Sequence, residues 1–317
     1  MEEIRAEESG YNGNEDMAGR YRRYVRRMCS CLGWALTAGL VISTGIGLIF
    51  SYFGLDYVPA PVVTLIGYGA AAPAYFMLLS RVPASVPEKK KMRLRKFIMF
   101  YVLAQGSGYV CSILGNLINA AVAAATGHDM FQMNPVNSML MDLDWIMILY
   151  ITVLGPVIEE YIFRGFLLNR LRPFGEKAAI LFSALAFGLF HGNLTQALYA
   201  AAIGLVLGYA AVKTARMRYN CLLHILINSG STLLALNLNG SLIRQLIISV
   251  ATLFAMGAFI IASIVILCVN ARRVKLAPGE WPAGVAYRDF ASAMYVNPGM
   301  MCFMILNVIL IGLYLFL

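Results

Sequence analysis

Two adjacent glutamates, Glu159 and Glu160, stand inside an apolar run that reads Pro156-Val157-Ile158-Glu159-Glu160-Tyr161-Ile162-Phe163-Arg164. Of the sixteen Asp and Glu residues, the other fourteen fall in a polar N-terminal tail, in loops or at loop edges. A carboxylate in an apolar segment is costly unless it faces protein or water. Arg164 follows Glu160 by four residues, so the two share a helical face and can pair. Glu159 points about 100° away on an α-helix. One carboxylate is then tied to a guanidinium while its neighbour is not, which separates their proton affinities as acid–base chemistry requires. A purely structural use of the same residues is an ion pair that locks two helices together.

The three histidines divide in the same way. His128 sits in a Gly-His-Asp loop entry and reads as an ordinary loop residue. His191 lies near the end of an apolar segment, four residues after Phe187, and His224 lies early in another, four residues before Asn228. A lone histidine in such a place is as well explained by packing. Two of them, beside a Glu pair and an Asn, make a working set. A carboxylate and an imidazole can hold a water and take its proton as it attacks a peptide carbonyl. A second imidazole N–H and an asparagine amide can donate to the oxyanion that forms. No serine sits in a Gly-x-Ser-x-Gly turn, and no His-Glu-x-x-His zinc helix is present. Two carboxylates and two histidines also make a set that zinc accepts, so a zinc-dependent hydrolase stands beside the preferred metal-free one.

The elements that carry these residues must be membrane spans. The chain of 317 residues is 60% hydrophobic and only 13% charged, about half the charge a soluble surface of this size carries. Nine apolar segments are predicted, at about 29–53, 62–82, 97–126, 145–168, 178–194, 196–212, 219–236, 245–269 and 299–317. The fifth and sixth are short and nearly contiguous, which suits half-depth or tilted helices. The fold class is therefore an all-α polytopic transmembrane bundle of about eight or nine spans. Basic residues fill the linkers 83–96, 169–177, 213–218 and 270–298, whereas 54–61 and 127–144 carry only acidic charges and 237–244 a single arginine. That alternation places the N-terminus in the cytoplasm and the C-terminus outside, in a multi-pass protein of the cell membrane. It also accounts for the net charge of +9 without nucleic acid as a partner. Residues 1–28 read as a disordered cytoplasmic tail with a basic end, and 29–317 as the transmembrane domain. In the loop 270–298, Tyr287, Phe290 and Tyr295 are placed to rest on the membrane interface. The six cysteines form no CxxC pair and suggest neither a disulfide framework nor a metal knuckle. Ala184, Ala186, Gly188, Gly192, Gly204 and Gly208 leave room for a hydrated cavity or, equally, let helices pack closely.

The ordered set Glu-Glu-x-x-x-Arg at 159–164, Phe-x-x-x-His at 187–191 and His-x-x-x-Asn at 224–228 resembles the CAAX protease and bacteriocin-processing family, which includes the type II CAAX prenyl endopeptidases. The resemblance covers about residues 145–236, the expected catalytic core. It implies an intramembrane endopeptidase of the glutamate type that needs no cofactor and acts on a membrane-associated or membrane-spanning peptide. It further implies that Glu159 with His191 activates water, that His224 and Asn228 form the oxyanion site, that Glu160 and Arg164 support and position them, and that Phe187 packs beneath His191. Two other classes compete: a non-catalytic immunity or partner protein that retains the motif, and a transporter using the Glu and His residues as a proton relay. A relay needs titratable groups across the whole membrane, and the outer halves of these segments lack them. One conflict remains among the expectations. A fifth helix that crosses fully carries His191 to the outer side, while His224 lies close to the inner side, yet the chemistry needs both together.

Overall fold

The computed structural model describes residues 17–85, 87–141, 143–237, 241–279 and 287–316. Among them the chain is all helical, without a strand. In chain order the helices are α1 (Met17–Tyr52), α2 (Ala60–Leu79), α3 (Leu94–Thr126), α4 (Trp145–Phe174) and α5 (Glu176–Leu189). They continue with α6 (Leu194–Thr214), α7 (Met217–Asn237), α8 (Leu242–Asn270), α9 (Tyr287–Tyr295) and α10 (Pro298–Phe316). Seven of these, namely α1 to α4, α6, α8 and α10, are long and apolar enough to cross a membrane. The protein is a multi-pass membrane protein.

Each of the nine expected segments forms a helix, and their lengths differ from expectation. The fifth, α5, has 14 residues and at 1.5 Å per residue reaches about 21 Å, short of the roughly 30 Å of hydrocarbon. The sixth, α6, is a full 21 residues. At the other extreme α1 runs for 36 residues, so the basic stretch 17–28 of the expected tail is its first turns. Residues 1–16 of that tail lie outside the described residues.

Helix ends follow local chemistry. Asp144 caps α4 by accepting from the Met147 N–H at 2.7 Å, and Asn193 caps α6 by accepting from Gln196 N–H at 3.0 Å. Gly175, at φ 106°, makes the turn between α4 and α5 that an L side chain rarely adopts.

The basic linkers gather at one end of the bundle. Ser85 N–H donates to the Asn169 carbonyl at 3.0 Å and Lys90 N–H to the Thr214 carbonyl at 2.8 Å. Glu176, at the start of α5, pairs with Lys213 at the end of α6 at 2.5 Å and accepts from Ala277 N–H at 2.9 Å. The first turns of α1 reach the same end, where the Tyr21 ring meets Phe174 edge-on at 6.5 Å. The helices therefore alternate between a basic end and its opposite.

Close contacts are made at small residues, as expected where lipid removes the hydrophobic drive between helices. Gly33 of α1 lies against the backbone of Gly299 in α10, and Gly188 of α5 against Ala197 and Ala201 of α6. The small residues at 188 and 204 thus serve close packing rather than an open cavity. Two of the three aromatics expected on the interface are also packed inside. Phe290 is 1% exposed, with its ring 5.9 Å from Phe174, and Tyr295 stacks on Phe182 at 5.4 Å. A short helix, α9, packs chiefly on α1 and turns these two rings toward Phe174 and Phe182. The Tyr287 side chain lies outside the described residues.

Candidate active site

The site is built on an irregular α4. Two stretches of this helix, Tyr150–Leu154 and Tyr161–Leu168, are wound as π-helix and flank the α-helical Gly155–Glu160. Such wide turns are costly in hydrogen-bond geometry and recur at functional sites. Between them stand the two glutamates.

Glu160 and Arg164 are both fully buried, and Arg164 Nη1 donates to Glu160 Oε1 at 2.8 Å. A charge in such a place survives only when paired and hydrogen-bonded. Further contacts come from three helices, while Arg164 Nε is left without a hydrogen-bond partner among the described residues. His224 Nδ1, on α7, lies 3.1 Å from the same Glu160 oxygen, and Asn220 Nδ2 donates to Glu160 Oε2 at 3.2 Å. Arg164 Nη2 donates to the Gly204 carbonyl of α6 at 3.4 Å, and the guanidinium carbon sits 4.4 Å from the centre of the Phe187 ring. Gly204 packs tightly here: an added Cβ would lie 3.0 Å from Ala184 Cα and 3.3 Å from Arg164 Nη2, so these neighbours would have to give by a few tenths of an ångström.

Glu159 has a different setting. Its side chain is 17% exposed, and its Oε2 faces His224 Nε2 at 3.7 Å. The two carboxylates thus meet opposite nitrogens of one imidazole.

His191 follows the last turn of α5. Its Nδ1 lies 2.8 Å from the Phe187 carbonyl. A carbonyl can only accept, so Nδ1 carries the hydrogen and the neutral ring keeps its lone pair on Nε2. Phe187 joins the parts: its ring meets His191 edge-on at 5.0 Å and His224 at 5.6 Å, and it packs on Phe163 at 5.1 Å. The expected packing of Phe187 beneath His191 is observed, and the same ring also supports His224 and Arg164. The two histidines meet through Phe187, near the end of α5, whose ring contacts both His191 and His224.

Asn228, one turn after His224, donates from Nδ2 to the Ile151 carbonyl at 3.0 Å. All seven residues singled out by type and spacing are therefore on the elements around this cluster.

Three participants escape a reading by motif. Asn220 bridges Glu160 and the Leu207 carbonyl, to which it donates at 2.7 Å. Its signal is present, since Asn220, His224 and Asn228 repeat at four-residue intervals along one face of α7. Tyr68 of α2 and Tyr150 of α4 lie near each other and within the electrostatic reach of Glu159. No spacing rule links a residue on α2 to a motif on α4.

A zinc ion does not fit this donor set. Both oxygens of Glu160 are occupied by Arg164, His224 and Asn220. Among the described residues no three His, Cys, Asp or Glu side chains converge as a metal site, and zinc wants at least three protein ligands.

The fold and the cluster define a class, a helical membrane protein with a carboxylate, imidazole and guanidinium set buried among its spans. Residues 141–230 match the family model described as Type II CAAX prenyl endopeptidase Rce1-like. This part of the chain, which holds α5, α6 and all seven of those residues, is similar to a CAAX-protease-type domain. Neither a curated protein nor a solved structure matches the chain.

Proposed function

We propose that the protein is an intramembrane endopeptidase that hydrolyses a peptide bond with water activated by Glu159 and His191. The observation that carries this reading is the division of labour between adjacent carboxylates. Glu160 is saturated by Arg164, His224 and Asn220 and is fully buried, whereas Glu159 keeps 17% of its side chain open. Glu160 and Arg164 are then the frame, and Glu159 is the base. His191 presents Nε2 as a second acceptor, because Phe187 holds Nδ1–H.

The reaction follows from these positions. A water donates its proton to the Glu159–His191 pair as its oxygen attacks the carbonyl carbon. The negative charge that forms on the carbonyl oxygen is met by N–H donors on α7, His224 Nε2 when protonated and the second hydrogen of the Asn228 amide. The proton then passes to the leaving amine as the C–N bond breaks. Similarity to a prenyl endopeptidase model supports a substrate that lies in or on the bilayer.

Purified protein in liposomes is incubated with a mixed peptide library made with and without an S-farnesyl cysteine, and new termini are read by mass spectrometry. The parent is expected to generate defined termini. Glu159→Gln, close in shape and volume, is expected to fold and to lose cleavage by at least about 10²-fold, the usual contribution of a positioned base. Equal cleavage by both proteins, or none by folded parent, overturns the reading.

A further inference from the structure

The π-wound turn before the glutamates leaves one carbonyl without a partner in its own helix. Gly155 N–H donates to the Tyr150 carbonyl, five residues back. The next bond in that pattern would run from residue 156 to Ile151, but residue 156 is proline and has no N–H. The α-helical donor for Ile151, the Gly155 N–H four residues on, is already used. A carbonyl left unpaired in a membrane-spanning helix is costly unless some other donor reaches it. The donor is Asn228 Nδ2, at 3.0 Å, from α7.

From this geometry we infer that Pro156 is a positioning residue for Asn228: by withholding a backbone N–H it reserves the Ile151 carbonyl for the Asn228 amide. The inference rests on the reading of Asn228 as an oxyanion donor for its functional meaning, and on the hydrogen bond alone for its structural one. A carbonyl can only accept, so it selects the nitrogen end of the amide and fixes the plane of the group. One Nδ2 hydrogen is spent on Ile151. The second is then held in a set direction and is a donor organised before the reaction begins, the condition under which such donors are most effective. Pro156 also lies three residues before Glu159. The same turn thus sets the carboxylate and, through Ile151, the amide on the facing helix.

A double-mutant cycle tests this with Asn228→Ala, Pro156→Ala and the pair, each read by thermal unfolding and by kcat and KM on the liposome peptide library. Asn228→Ala alone strands the Ile151 carbonyl and is expected to lower Tm by about 3–8 °C. In the Pro156→Ala background a backbone N–H is available for that carbonyl, so the same substitution is expected to lower Tm by less than half as much. Pro156→Ala is expected to lower kcat about tenfold or more with KM within about threefold, and to have no further effect on kcat once Asn228 is alanine. A Tm cycle with no coupling overturns the inference whether or not any peptide is cut. Intact Tm coupling with kcat unaffected by Asn228→Ala overturns instead the oxyanion reading of Asn228. Should Pro156→Ala fail to fold, Asn228→Asp is compared with Asn228→Ala on the native proline. A carboxylate facing the carbonyl is expected to lower Tm further, and an equal or smaller loss overturns the inference.

Discussion

Glu160 and Arg164 show at the scale of single residues why two neighbouring carboxylates do different work. Their side chains have no exposed surface, and their 2.8 Å contact is the centre of the network. Removing one partner leaves the other charged and buried. Arg164→Ala is therefore expected to destabilise the protein by about 3–5 kcal/mol, seen as a loss of yield and a lower Tm in detergent. Asn220→Ala removes the donor to Glu160 Oε2 and to the Leu207 carbonyl and is expected to cost about 1–3 kcal/mol. Glu159→Gln, at a partly open site, is expected to leave Tm nearly unchanged. If Arg164→Ala melts with the parent, the pair is not a structural frame. The Glu160–Arg164 pair was legible from its four-residue spacing, because an ion pair along one helix is a local property. The role of Asn220 was equally local in spacing, yet an asparagine at a helix start has many uses and only the facing carboxylate selects among them. The contact of Glu159 with His224 joins two helices, and no spacing within either one encodes it.

The helices α4 and α5 carry the lesson at the next scale. Apolar runs marked where both lie, because lipid demands apolar surface whatever the details of winding. The two π-wound stretches of α4 were not legible, since patterns read at 3.6 residues per turn assume the regular helix that these stretches depart from. The short length of α5 was partly legible, as its apolar run is brief. Its position depends on close contact with α6. A Cβ at Gly188 would stand 2.5 Å from the Ala197 carbonyl oxygen and 2.8 Å from Ala201 Cβ, whereas a Cβ at Gly257 on α8 meets nothing within 4 Å. Gly188→Ala is expected to cost about 1–3 kcal/mol through overpacking and to reduce cleavage by displacing His191. Gly257→Ala is expected to hold or raise stability, by up to about 1 kcal/mol, because alanine is the better helix former. Thermal unfolding of the two variants beside the parent decides the matter, and an unperturbed Gly188→Ala protein would mean that α5 and α6 are not in tight contact.

The whole molecule is organised by its two ends. Linkers that are far apart in sequence but alike in charge meet in space: residue 85 with 169, residue 90 with 214, and residue 176 with 213 and 277. This gathering was legible as an alternation of charge along the chain, since each crossing carries the chain to the opposite face and basic loops are retained on the cytoplasmic side. The packing of α9 against α1 was not, because a short helix with mixed polarity suits the interface and the interior equally well. The charge leads us to propose a sidedness for the whole, with the basic end in the cytoplasm. With the six native cysteines replaced, single cysteines are introduced at Lys89 for the basic end and at Tyr57 and Asp129 for the opposite end, all exposed positions. An impermeant maleimide added to intact cells is expected to label the cysteines at 57 and 129 and to reach the one at 89 only after the membrane is opened. Labelling of all three from outside would mean that α2 and α3 do not alternate between two faces. Labelling of residue 89 alone would keep the bundle and invert it, which would place five arginines of α1 and the linker lysines on the outer face, against the retention of positive charge that orients such chains.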